Sequence, residues 1–199
     1  MVILAVVALV AGVLYGLSGL EVPLLTLLTN HSDLVLYLLM FLVGISIGLH
    51  EGIWQKIKEY HIKAFLIPIG IIVGSLIGGA VCAPLLGFSL KESTMVASGL
   101  GWYSLAGVTI GNMAGAQLGS IAFLSNLMRE IVSFFVIPPI SRHLNYYTCI
   151  APAAATSEDT TLSMMIRFTD EETVVLSVFN GVVCSAAVPP LISLCAAIF

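Results

Sequence analysis

Residues 147–166 read YTCIAPAAATSEDTTLSMMI. Both ends are apolar enough for a membrane, but the middle, TSEDTTL, brings two carboxylates and four hydroxyls. Pro152 limits the helix ahead of them, because its ring removes a backbone donor and crowds the preceding turn. Two readings are open. In one, an ordinary loop caps a surface helix, with Thr156 or Ser157 covering the free N–H groups and Glu158 and Asp159 suiting the positive dipole end. In the other, the span is interrupted, and its helix ends and unwound carbonyls lie near the membrane midplane, where transporters bind substrate and ions. The short apolar flanks favour re-entry over exposure.

The rest of the chain supplies the membrane. Of its 199 residues 59% are hydrophobic and only 9% charged, with a mean hydropathy of +1.08, whereas soluble domains average about a quarter charged residues. Apolar runs long enough to cross a hydrocarbon core of about 30 Å recur from end to end. They are continuous, unlike the alternating segments of an outer-membrane barrel. Only helices then satisfy the backbone. The pattern predicts an all-α polytopic membrane protein, a compact glycine-rich bundle of six or seven transmembrane helices with an interrupted or re-entrant segment. Spans are expected near 2–20, 34–50, 64–87, 94–115, 117–140, the broken 147–166, and 172–199. Loops are short, so residues 1–199 read as a single membrane domain. The N-terminus lacks the basic n-region of a cleaved signal peptide and reads as a retained first span.

Charge and cysteine usage exclude several classes. The net charge of −4 is dispersed over loops and offers no nucleic-acid surface. Cys82, Cys149, Cys184 and Cys195 lie in or beside apolar runs with no CxxC pair, so they read as packing residues and no metal or other cofactor is expected. His31, His50, His61 and His143 fall near span ends, and no Ser/His/Asp arrangement marks an enzyme. Lys56, Lys58 and Lys63 cluster between the second and third spans, which places that loop and the N-terminus in the cytoplasm. Trp54 and Tyr60 suit headgroup-level anchors.

Glycines recur at intervals of four: Gly44, Gly48 and Gly52; Gly70, Gly74 and Gly78; Gly107, Gly111 and Gly115. This spacing lines one helix face and lets another backbone approach closely. In GWYSLAGVTIGNMAG, residues 101–115, the glycines also permit an interrupted helix. Trp102 and Tyr103 there supply aromatic faces able to hold a cation, with Ser104 beside them as a further pathway residue.

Arg129 and Glu130 stand well inside the apolar segment bounded by Ala116 and Ile140. An ionised residue at a span centre costs roughly 2.5–3.5 kcal/mol on insertion scales, and such residues face a cavity or a partner. Adjacent helical residues point about 100° apart, so each looks to a different neighbour. The Glu130 face runs Gly119, Phe123, Asn126, Glu130, Ser133, a small and polar stripe suited to lining a pathway. A buried structural ion pair is the alternative use of these charges.

SGLGWYSLAG, NLMRE, ATSEDTTL and PPLISL, in that order over approximately residues 94–195, resemble the LysO-type lysine exporter family. The resemblance implies a bacterial inner-membrane protein that moves L-lysine outwards on a proton gradient and needs intramembrane acidic residues, of which Glu130 is the position carried over. Longer members have a further N-terminal membrane portion with an acidic residue of its own; Glu51 is a candidate substitute, and a homo-oligomer or a small companion chain becomes an expectation. Glu130, Glu158 and Asp159 would then face the ammonium groups of lysine, and Arg129 or the capped helix start its carboxylate. Another small organic ion as cargo, or a non-transporting membrane subunit, are the other readings.

Overall fold

The computed structural model describes residues 53–198 continuously, with side chains from Ala64 on, together with scattered positions between 7 and 45. The spans expected at 2–20 and 34–50 lie for the most part outside the described residues, and Glu51 and His50 wholly so. The chain forms two compact units, Met1–Gly48 and Leu49–Phe199. In the first, Tyr15 to Ser18 are helical, and Gly19 leaves the helix at φ 64°.

The second unit is helical throughout its regular structure. Helix α1 runs Ile53–Leu86, α2 Leu90–Ala97, α3 Tyr103–Ala114 and α4 Ala116–His143. A 3-10 turn at Tyr146–Cys149, the single-turn α5 at Ile150–Ala153 and a second 3-10 turn at Ala154–Glu158 then lead into α6, Leu162–Phe168, and α7, Glu171–Ile198. Among the described residues three stretches are long and apolar enough to cross a membrane, Ala64–Leu86, Ala116–His143 and Glu171–Ile198. They match the spans read from the sequence at 64–87, 117–140 and 172–199.

Between them lie two interrupted segments. The span expected at 94–115 is broken at residues 98–102, where Leu100 and Gly101 take φ values of 49° and 95°. The segment at 147–166 is broken into short pieces around Ala154, also at φ 49°. At the first break Gly101 supplies a conformation that L-residues adopt only under strain. Ser89 starts α2 with a capping box: its hydroxyl accepts from the Glu92 N–H while Glu92 accepts from the Ser89 N–H.

Glycine spacing serves different ends in different helices. The α3–α4 pair is a close hairpin: a Cβ on Gly119 would stand 2.6 Å from the Gly111 Cα and 2.7 Å from the Gly107 oxygen. Backbones meet there as the four-residue spacing predicts. Gly70, Gly74 and Gly78 have nothing within 4 Å of where a Cβ would lie, so among the described residues that triplet packs against no other helix. Gly115 likewise meets nothing; at φ 94° it joins α3 to α4 instead. Gly44, Gly48 and the Gly52 side of the remaining triplet fall outside the described residues.

Candidate functional site

A helix broken inside a membrane frees carbonyls and N–H groups that no water can satisfy, and each unsatisfied group costs several kcal/mol. The polar residues of this chain meet that need one by one. Asn126 on α4 spans the first break: its Oδ1 accepts the Gly101 N–H at 2.8 Å, and its Nδ2 donates to the Val96 carbonyl at 3.1 Å. At the second, Arg129 donates from Nε to the Pro152 oxygen and from Nη2 to the Ala151 oxygen, both at 3.1 Å, and from Nη1 to Ser75 Oγ on α1 at 3.0 Å. The Ala153 oxygen accepts from Thr156 Oγ1, and the Ala154 oxygen from both Ser157 Oγ and Asn180 Nδ2. Ser157 and Ser177 exchange hydroxyl bonds to each other's carbonyls at 2.8 and 2.7 Å. The Thr156 oxygen takes the Thr161 hydroxyl.

The two breaks touch. The Ala155 N–H donates to the Leu100 oxygen at 3.0 Å, with α4 alongside both. On the turn of α4 that carries Asn126 and Arg129 sits Glu130, only 1% exposed, and among the described residues neither of its carboxylate oxygens has a hydrogen-bond partner. Asp159 and Thr160 come near enough to act on its charge, but by geometry neither bonds it. Tyr103 feels the charges of both Glu130 and Asp159; its ring meets Phe123 edge-on, with centroids 5.3 Å apart.

The sequence expectations therefore divide. Arg129 and Glu130 do look to different neighbours, and Arg129 is spent on backbone oxygens and a serine rather than on a buried ion pair with Glu130. Glu130, Tyr103 and the exposed Asp159 lie within electrostatic reach of one another, whereas half-buried Glu158 turns to α7. Glu158 accepts from Ser185 Oγ at 2.8 Å, and Gly181 makes room for it: a Cβ there would lie 2.5 Å from the Glu158 Cβ. Trp102 and Ser104 are half-buried at the start of α3. The expected helix-start cap is not formed. Thr156 and Ser157 donate to carbonyls instead of covering N–H groups, and α6 begins only at Leu162 with no side-chain cap, because the chain needs donors at the break more than acceptors. Asp159 bonds its neighbour Thr160. Cys149, Cys184 and Cys195 are buried as expected of packing residues, whereas Cys82 is exposed.

The sequence reading overlooked Ser75 and the face of α7 formed by Ser177, Asn180, Gly181 and Ser185. The signal was present: polar and small residues three and four apart in SVFNGVVCS lie on one side of a helix.

Fold and site together define a helical integral membrane protein in which two interrupted helical segments meet beside a buried carboxyl that no described residue hydrogen-bonds. The chain belongs to the lysine exporter LysO family, whose model matches residues 6–196. It is similar to the "Lysine exporter LysO" of Escherichia coli strain K12, 34% identical over 184 residues, and spans 92% of its own length but only 60% of that relative's. It is also similar to a "Putative lysine exporter" of Haemophilus influenzae, 36% identical over 166 residues, covering 82% of this chain and 83% of the relative. No solved structure matches. The family is one of transporters rather than enzymes.

Proposed function

We propose that this chain exports L-lysine across a bacterial inner membrane, as a secondary transporter that exchanges protons for lysine at Glu130. The observation that carries the reading is the Glu130 carboxyl itself: 1% exposed, without a hydrogen bond, and next to the meeting point of two broken helices. Burying a lone carboxylate costs several kcal/mol, so the group is stable only when a proton or a bound cation balances it. Alternating those two partners is antiport. Cationic lysine arriving at Glu130 displaces the proton, and a proton arriving from the other side releases lysine. Glu158 and Asp159 extend the negative region to accept the second ammonium group, while Thr156, Ser157 and Asn126 hold the broken backbone around it. Trp102, Tyr103 and Ser104 line the approach from α3.

The similarity to lysine exporters supports lysine as cargo. The N-terminus is read as cytoplasmic from the lysines at 56, 58 and 63. A second reading is activity within a homo-oligomer or with a small membrane companion chain.

The test is efflux of preloaded labelled lysine from vesicles containing only this chain. Efflux that follows an imposed pH gradient supports both cargo and coupling. Efflux indifferent to the gradient removes the coupling, and a folded but silent protein removes self-sufficient lysine export; recovery with a co-purified small chain would then favour the second reading.

A further inference from the structure

One charge in the site is left without a counter-charge. Arg129 is half-buried, and its three side-chain hydrogen bonds go to the neutral oxygens of Pro152, Ala151 and Ser75. A guanidinium carries five N–H donors, so two remain. A cation inside a membrane protein is stabilised by an anion far better than by carbonyl dipoles alone. Among the described residues no carboxylate fills that role: Glu130 has no partner, and Glu158 bonds Ser185.

Arg129 also forms part of the wall of an open cavity of about 690 Å³, together with Gly70, Gly74, Ser75, Thr148 and Pro152. Small-molecule sites run from about 300 to 1,000 Å³, so the volume suits an amino acid with water. Gly70 and Gly74 bring no side chain into the cavity from α1, whose wall Ile67, Ile71 and Ser75 complete. Glu130 is not among the lining residues. Successive positions on α4 thus present a positive group to the cavity and a carboxyl to the meeting point of the two breaks.

We propose that this cavity is a carboxylate subsite, in which Arg129 receives the α-carboxylate of the exported amino acid through its two unused N–H groups. The proposal rests on the transport function above and assigns the recognition element that distinguishes an amino acid from a plain diamine. Arg129 repels both ammonium groups of lysine and attracts only its carboxylate, so it orients the molecule with the cationic end away from α1. The chain's carboxylates are left to meet that end. Because Arg129 also ties the carbonyls of residues 151 and 152, carboxylate binding would reach the second break directly.

Competition against labelled L-lysine binding to the purified protein tests this, with cadaverine and L-lysine methyl ester as probes lacking the carboxylate charge. The wild type should prefer lysine to both by about 10- to 100-fold, the range carried by hydrogen bonds to charged groups. Arg129→Gln should bring that ratio close to one, and Arg129→Lys should restore part of it. If Arg129→Gln does not fold, Gly74→Cys in a Cys82→Ser background gives the same answer. The position has open space for a side chain, and lysine and glycine should slow its labelling by an anionic thiol reagent while cadaverine should not. Equal competition by cadaverine in the wild type, or a preference unchanged in folded Arg129→Gln, would overturn the subsite. The two failures separate: lysine efflux without carboxylate preference keeps the function and removes the subsite, whereas protection of Gly74→Cys by glycine without lysine efflux keeps the subsite and removes the cargo.

Discussion

Replacing Asn126 by alanine should destabilise the protein more than the loss of a typical interhelical hydrogen bond, and the structure says by how much. Such bonds average only about 0.6 kcal/mol in membranes, because the unfolded chain in lipid finds other partners. Asn126 Nδ2 to the Ala122 oxygen, 2.9 Å, is of that kind, since a carbonyl four residues back in a helix has other partners. The Gly101 N–H is different. It lies at the break between α2 and α3, and its bond is to Asn126 Oδ1 at 2.8 Å. Left buried without a partner it costs about 1–3 kcal/mol, and the weakened Val96 carbonyl adds a fraction of that. Asn126→Ala should therefore lose about 2–4 kcal/mol in reversible denaturation from mixed micelles, and amide exchange at residues 98–103 should accelerate selectively. Asn126→Asp keeps the acceptor, loses both donors and buries a charge, so it should fare no better. An alanine variant within about 0.5 kcal/mol of wild type, with exchange at Gly101 unchanged, would refute the claim that side chains from α4 satisfy the broken backbone.

Three further outcomes follow from packing and capping. Gly119→Ala would place a Cβ 2.6 Å from the Gly111 Cα, where backbone cannot give way, and should cost about 1–3 kcal/mol in the same assay, while Gly78→Ala, with open space around it, should be close to neutral. Gly181→Ala presses on the Glu158 Cβ and backbone N at 2.5 and 2.6 Å; lysine efflux per folded molecule should fall several-fold as Glu158 is pushed from Ser185, and unchanged efflux would contradict the placement of Glu158 in the pathway. Ser89→Ala should cost about 1 kcal/mol as a lost N-cap. The Ser89 hydroxyl and N–H hold the Glu92 carboxyl below its ordinary value of 4.5. A lowered carboxylate stabilises the fold above its unfolded value and loses that contribution as pH falls through the folded one, so melting temperature should decline below about pH 4.5 and less so in Glu92→Gln.

The legible parts of this protein were those written in local pattern. Hydropathy marks the long helices because each must cover a fixed thickness of lipid, and Pro152 with TSEDTTL marks the interrupted segment because no continuous span tolerates that cluster. Gly99 and Gly101 likewise allow the break before α3. What could not be read was which group each polar residue serves. Asn126 looked like a pathway residue, and its amide is in fact engaged with Gly101 and Val96. Thr156 and Ser157 looked like helix caps because their order fits a cap, but the donors they supply to Ala153 and Ala154 depend on a break whose shape α7 sets from 20 residues away through Ser177. The glycine triplets share one spacing and have different surroundings, since spacing defines a face but not what lies against it. Glu130 was found by cost alone: a charge at mid-span must have a reason, and among the described residues no group hydrogen-bonds its carboxylate.

The central claim is that Glu130 alternates between a proton and lysine, and the direct measurement is proton movement caused by lysine. Proteoliposomes of this chain carrying an internal pH dye, given a lysine gradient and no pH gradient, should show protons moving opposite to lysine in the wild type. Glu130→Gln, inserted and folded to the same extent, should show none. Lysine-driven proton movement that persists undiminished in Glu130→Gln would contradict the account.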